Sequence, residues 1–228
     1  MTTLSRDLGT PLSVAGHELD VTTEPADSAD PTLIAHRGCP LRGPENSLAA
    51  FERAAPHADL IEIDVRRCGS GELVVFHDDT LDRLLGVEGR VEGTPLSELR
   101  SHTILDSTET VPTLTETLAT IPDDVGVNVE LKGDGVATET AEVCDRFDNE
   151  TLISSFSADV LREFGAVSDA PRAYITMDDD WERALATATD LGCSTLHPQY
   201  ELVTAERVAA AHERGLTVNV WTIRQRVP

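Results

Sequence analysis

From Thr32 onward, apolar runs of strand length alternate with segments whose apolar residues recur every three to four positions. Leu33–Ala35 reads as a short buried strand, ended by His36, Arg37 and Gly38. After the loop CPLRGPEN, Asn46 or Ser47 can cap a helix over Leu48–Ala55. Leu48, Phe51 and Ala55 share one face of that helix, and Pro56 stops it. Leu60–Val65 and Leu73–Phe76 are apolar runs flanking a short polar segment that holds Gly69, Ser70 and Gly71. Parallel neighbours need a crossover of about a dozen residues or more, so a link this short implies an antiparallel return. A turn centred near Gly69–Ser70 makes partner numbers sum to about 139, which sets His77 opposite Glu62.

Thr80–Ser107 is polar and irregular and reads as an inserted excursion, followed by a helix over Thr113–Ala119. Then strands and helices alternate. Val125–Leu131, Leu152–Phe156, Ala173–Thr176, Ser194–His197 and Leu216–Ile223 read as strands. Val136–Arg146, Ala158–Phe164, Trp181–Thr189 and Thr204–Arg214 read as the helices between them. That order predicts an α/β fold with a parallel sheet and helices outside. Seven forward strands can be counted, ending near His36, Val65, Leu131, Phe156, Thr176, His197 and Thr222. A closed barrel of this type needs eight. The expected fold is therefore a TIM-type (β/α) barrel with a hairpin inserted after the second strand and truncated before the eighth. Its unpaired strand edges along the seam would invite self-association. Residues 1–30, rich in Thr, Ser, Asp and Pro, read as a polar extension, with Glu24–Asp30 as linker and Ser13–Val21 as a small hairpin. The barrel domain is expected over 31–228.

Charge alters this picture. The chain carries 41 acids against 18 bases, a net of −23, with the acids dispersed rather than blocked. Such a chain lacks the basic footprint that nucleic-acid binding needs. One base alone is lysine, Lys132; the rest are arginine. An acidic, lysine-poor composition resembles the proteins of salt-accumulating halophilic archaea, where about 1 M salt cuts the Debye length to about 3 Å and screens the self-repulsion. The four cysteines, Cys39, Cys68, Cys144 and Cys193, show no CxxC spacing and are expected to be reduced. No apolar run reaches the roughly 18 residues of a membrane span, and the N-terminus has no basic-then-apolar pattern. The expected location is the cytoplasm.

Chemistry-bearing residues gather at strand ends. Glu62 and Asp64 are two apart on one strand and so share a face, as do Asn128, Glu130 and Lys132 on the next. His36 and Arg37 end the first strand, His77 ends the return strand, and Trp221 lies near the end of the last. In barrels the C-terminal strand ends form the active face. Three carboxylates, Glu62, Asp64 and Glu130, without a cysteine among them suit a hard cation such as Mg²⁺ or Ca²⁺. Two histidines supply an acid and a base near neutral pH, and Arg37 and Lys132 are donors suited to phosphate oxygens. The set describes cleavage of a phosphoryl ester.

The segments IAHRG at 34–38, PENSLAAFERA at 44–54, DLIEIDVR at 59–66, LVVFHDDTLDR at 73–83 and VNVELK at 127–132 resemble the glycerophosphodiester phosphodiesterase family. SSF at 154–156 and VNVWT at 218–222 continue the likeness in the family's order. The resemblance implies a TIM-type barrel containing the hairpin. It implies a divalent cation held by Glu62, Asp64 and Glu130, with His36 and His77 exchanging roles as general base and acid. Arg37, Lys132 and Trp221 would bind the phosphate-bearing substrate, with Glu45, Asn46 and Phe156 in support. The implied substrate is a small phosphodiester, split into an alcohol and glycerol phosphate. The alternatives are a truncated, inactive member of the same family, or a lysophospholipase D-like enzyme acting on lipid. The turn RRCGSGE departs from the family's Asp-Gly turn, and the family's closing helix and strand are missing after Arg226.

Overall fold

The structure, a computed structural model, describes residues 31–40 and 43–223. The N-terminal extension, with its expected hairpin and linker, and the residues after Ile223 lie outside the described residues. Strand β1 (Ile34–His36) runs parallel to β2 (Leu60–Arg67), and β2 runs parallel to β4 (Gly126–Leu131). The path continues through β5 (Thr151–Ser155), β6 (Arg172–Thr176), β7 (Thr195–Pro198) and β8 (Thr217–Val218), all parallel. The eight residues of β2 allow it to pair with β1 over Leu60–Glu62 and, further along, with antiparallel β3 (Leu73–Val75) over Val65–Arg67.

Helices fill the crossovers: α1 (Leu48–Ala54), α4 (Leu114–Thr120), α5 (Ala137–Cys144), α6 (Ala158–Gly165), α7 (Trp181–Asp190) and α8 (Ala205–Glu213). Their starts carry side-chain caps where the sequence offers them. Ser47, Ser157, Asp180 and Thr204 each accept an amide hydrogen bond, and Thr113 and Glu116 close a capping box on α4. The period-two pattern of the strands divides inside from outside. Val127, Val129 and Leu131 pack outward with Phe51, Leu118, Ile153 and Phe164, while Asn128 and Glu130 between them face the barrel interior. The sheet curls: the rings of Phe156 and Trp221, at the ends of β5 and β8, lie 5.6 Å apart. On a flat sheet, three ladder spacings of about 4.8 Å would separate them. Among the described residues β1 pairs only with β2 and β8 only with β7, so the curled sheet has the open seam expected from seven forward strands. No helix of the described residues is long and apolar enough to cross a membrane, and all four cysteines are unpaired.

Three local expectations need correction. The hairpin pairs Val65 with Val75 and Arg67 with Leu73, a register of 140 rather than 139. The tight turn is centred on Gly69–Ser70, as the Gly71 amide bonded to the Cys68 carbonyl shows. Gly71, at φ 106°, then adds one residue to the loop, so that the Cys68 amide bonds to Glu72. The ladder ends at Val75, and His77 reaches the site from a bend rather than from a paired position opposite Glu62. The excursion after Thr80 is not irregular throughout: α2 (Asp82–Leu85), α3 (Leu96–Leu99) and a 3₁₀ turn at Val91–Gly93 surround Leu81, Leu84, Leu99, Ile104 and Val111 in a core of their own. The last strand, expected over Leu216–Ile223, pairs only at Thr217–Val218, with a single further bridge from Gln199 to Trp221.

Candidate active site

The site sits where β1, β2 and β4 end. Their register places Glu62 beside Asn128 and Asp64 beside Glu130, so two neighbouring strands present their acids to one interior space. Glu62, Asp64 and Glu130 are all buried, and one carboxylate oxygen of each lies within 4.8 Å of the others. Three carboxylates this close are stable only if something compensates them. Two cations do so in part. Lys132 Nζ lies 2.5 Å from Glu130 Oε1 and 3.1 Å from Asp64 Oδ1, and Arg37 Nε lies 3.2 Å from Asp64 Oδ2. Asn46 Nδ2 donates to Asp64 Oδ2 at 2.7 Å, and the Arg37 amide donates to Glu62 Oε2 at 2.8 Å. Glu62 Oε1 remains buried without a hydrogen-bond partner.

Backbone geometry explains how β1 delivers these donors. Arg37 and Gly38 both have positive φ, 52° and 72°, a turn that aims the Arg37 amide at Glu62. Glycine is required at 38, since a Cβ there would meet Ala50 Cβ at 2.8 Å and the Phe51 ring at 3.0 Å. Asn46 also sits at positive φ, 54°, where asparagine is one of the few side chains tolerated.

The protonation pattern follows from burial against charge. Burial, with the charges of Asp64 and Glu130, raises the Glu62 carboxyl well above the usual range. Burial and Asp64 push Glu130 up to about 7 against the pull of Lys132. Burial would raise Asp64 too, but Lys132 and Arg37 outweigh it and hold that carboxyl low. Among the three, then, Asp64 is the settled anion, while burial and the neighbouring negative charge hold Glu62 and Glu130 towards their protonated forms.

Two imidazoles flank the acids. His36 Nε2 lies 3.9 Å from Glu62, and burial together with Arg37 lowers it to about 4. His77 is lowered by burial, with Asp64 and Asp78 opposing. His77 Nδ1 is 2.6 Å from Asp78 Oδ1, and its carbonyl accepts from Arg66 Nε at 2.9 Å. On the far side of Lys132, its ammonium sits 5.8 Å over the Phe156 ring, which meets Trp221 edge-on. Trp221 is itself fixed by its indole N–H, which donates to the His197 carbonyl at 2.8 Å.

All eleven residues singled out from the sequence therefore meet at one end of the sheet: His36, Arg37, Glu45, Asn46, Glu62, Asp64, His77, Glu130, Lys132, Phe156 and Trp221. Arg37 bridges Glu45 and Asp64, and Glu45 lies 2.9 Å from its Nη1. Two residues of the constellation were not singled out, Asp78 and Arg83, which carry the connection from His77 to Glu45. Both stand in the segment LVVFHDDTLDR, but a helix of four residues after a bend leaves no periodic signal of where Arg83 points.

The residues present fit a hard divalent cation. Three carboxylates converge without a soft ligand, and one buried oxygen is unpartnered.

The pattern of the glycerophosphoryl diester phosphodiesterase family matches residues 36–227. A glycerophosphodiester phosphodiesterase of Caldanaerobacter subterraneus subsp. tengcongensis is 32% identical over 218 residues, covering 85% of this chain and 86% of the relative. One from Bacillus altitudinis is 30% identical, covering 84% and 85%. Among solved structures, a phosphodiesterase of Oleispira antarctica in complex with the product sn-glycerol-3-phosphate superposes with a TM-score of 0.78 at 31% identity, over 86% of this chain and 85% of that one. The glycerophosphodiester phosphodiesterase of Thermotoga maritima gives 0.75 at 26%, over 87% and 88%.

Proposed function

The chain belongs to the glycerophosphoryl diester phosphodiesterase family, and we propose that it is a metal-dependent hydrolase releasing glycerol phosphate and an alcohol from glycerophosphodiesters. The observation that carries this reading is the buried Glu62–Asp64–Glu130 cluster with its unpartnered oxygen, flanked by two imidazoles and two cations. Glu62, Asp64 and Glu130 would hold Mg²⁺ or Ca²⁺. When bound, the cation lowers the pKa of an attacking hydroxyl and offsets negative charge developing on phosphorus.

The chain's own groups do the rest. Arg37 and Lys132 bind phosphate oxygens with the protons their carboxylate partners leave free. His36 takes the proton from the glycerol hydroxyl beside the phosphate as that oxygen bonds to phosphorus. His77, whose imidazolium form the Asp78 carboxylate stabilises, donates its proton to the departing alcohol oxygen as the old P–O bond breaks. The product of that step is a cyclic phosphate. With the two histidines now exchanged in role, His77 takes a proton from water and His36 returns one to the opened ring oxygen. Phe156 and Trp221 form the apolar wall against which the substrate lies.

The test is release of glycerol phosphate from a glycerophosphodiester by the purified chain, stripped of metal and resupplied. Release is expected only with Mg²⁺ or Ca²⁺, and His36→Ala or His77→Ala should each lower it on the order of 10²–10⁴-fold. Full activity in the double variant, or activity indifferent to chelator, contradicts the proposal. No release under any condition favours the inactive alternative.

A further inference from the structure

Between the loop after β3 and the loop after β1 runs an unbroken chain of charged contacts, of which the reaction scheme uses His77 with its Asp78 partner and Arg37, but neither Arg83 nor Glu45. His77 Nδ1 meets Asp78 Oδ1 at 2.6 Å. Arg83 grips both oxygens of Asp78, Nε at 2.5 Å and Nη2 at 2.9 Å. The same guanidinium grips both oxygens of Glu45, Nη1 at 2.9 Å and Nη2 at 2.8 Å. Glu45 accepts in turn from Arg37 Nη1 at 2.9 Å, and Arg37 touches Asp64.

We propose that Asp78 and Arg83 are positioning residues of the active site: Asp78 holds the His77 ring with Nδ1 engaged, and Arg83 clamps Asp78 to Glu45 so that the two loops bearing His77 and Arg37 keep one spacing. Occupying Nδ1 fixes the neutral tautomer as Nδ1–H and leaves Nε2 as the nitrogen that serves substrate. His77 lies within electrostatic reach of the cluster, feeling the charges of Asp64, Lys132 and Arg37. Asp78 is suited to this role because Arg83 keeps it ionised, at about 2. Arg83 is suited because a planar fork can serve two carboxylates at once, which a lysine cannot. Its side chain is 44% exposed, so as a stability device the pair contributes little. A buried Glu45 between two arginines instead ties the geometry of one loop to that of the other.

The inference rests on the phosphodiesterase reading, with His77 as the acid that protonates the leaving alcohol. The full chain is compared with Asp78→Asn and Arg83→Lys on two diesters of glycerol phosphate, one with an alkyl alcohol (ethanolamine) and one with p-nitrophenol, which departs without needing a proton. Asp78→Asn is expected to lower kcat on the alkyl diester on the order of 10²-fold. It should leave the first-turnover release of p-nitrophenol, a step that needs no proton from His77, and Mg²⁺ affinity by calorimetry nearly unchanged. Arg83→Lys should show the same selectivity with a smaller loss. In ¹⁵N-histidine-labelled protein the His77 signal, identified by its loss in His77→Ala, should report the Nδ1–H tautomer in the native chain and Nε2–H in Asp78→Asn. Equal losses on both diesters, or an unchanged tautomer, overturn the proposal. A native chain inactive on both diesters refutes the phosphodiesterase reading instead, and the positioning claim is then decided by the tautomer alone.

Discussion

Asn46 offers a sharp perturbation because two separable costs meet there. Its amide donates to the buried Asp64 carboxylate at 2.7 Å, and its backbone sits at φ 54°. A hydrogen bond to a charged group is worth about 1.5–3 kcal/mol. Alanine at a left-handed position adds roughly 1 kcal/mol or more that asparagine and glycine largely avoid. Asn46→Ala should therefore cost about 2.5–4 kcal/mol, and Asn46→Gly about 1 kcal/mol less. For a chain of this size each kcal/mol lowers the melting midpoint by roughly 2–4 °C, so the alanine variant should melt roughly 5–16 °C below the native chain. Thermal and urea unfolding, both in chelator to remove any metal contribution, measure the two values. Alanine and glycine variants of equal stability would refute the backbone argument. An alanine variant within about 0.5 kcal/mol of native would refute the claim that this amide holds Asp64.

Other expectations follow from the same geometry. With Glu130 raised to about 7 and Glu62 raised well above the usual carboxylate range, a cation entering below pH 7 must displace protons. Mg²⁺ affinity should fall as pH drops below 7, by up to about tenfold per unit for each proton displaced, and calorimetry in buffers of different ionisation heat should detect proton release at pH 6; affinity flat from pH 5 to 8 would contradict it. Lys132→Met removes the ammonium between Asp64 and Glu130. Catalytic efficiency should fall on the order of 10²-fold or more while the cation binds no more weakly, and a variant that loses metal before activity would reverse the assignment. At a net charge of −23 the whole molecule repels an anionic substrate. Raising KCl from about 0.1 to 1 M shrinks the Debye length from about 10 to 3 Å, so both KM and thermal stability should improve. Highest turnover in dilute buffer would sink that expectation.

The sequence exposes the site better than it exposes the paths between site residues. Glu62, Asp64 and Glu130 could be placed on one face because strand periodicity is rigid, and parallel pairing of β2 with β4 then leaves few registers. A helix start is legible where the sequence offers a cap, as at Ser47. The hairpin register slipped by one because Gly71 could equally have belonged to the strand or to the loop, and only the positive φ it adopts decides the count. The fold of the excursion was hidden because Leu81, Leu84, Leu99 and Ile104 are spaced without a period and meet only through short turns. Arg83 escapes sequence reading for a related reason: its partner Glu45 lies in a loop 38 residues back, a contact no local pattern reports, and without Arg83 nothing sets Asp78 apart from Asp79 beside it. β8 is shorter than its apolar run suggests because, among the described residues, one edge has no partner to complete the ladder.

The proposed reaction requires Glu62, Asp64 and Glu130 to act together on one cation. Calorimetric titration of the metal-stripped chain with Mg²⁺ and Ca²⁺, alongside Glu130→Gln, addresses that requirement directly. One site per chain is expected, weakened on the order of tenfold or more in the variant. Unchanged affinity in Glu130→Gln, or no binding to the native chain at millimolar cation, would contradict it.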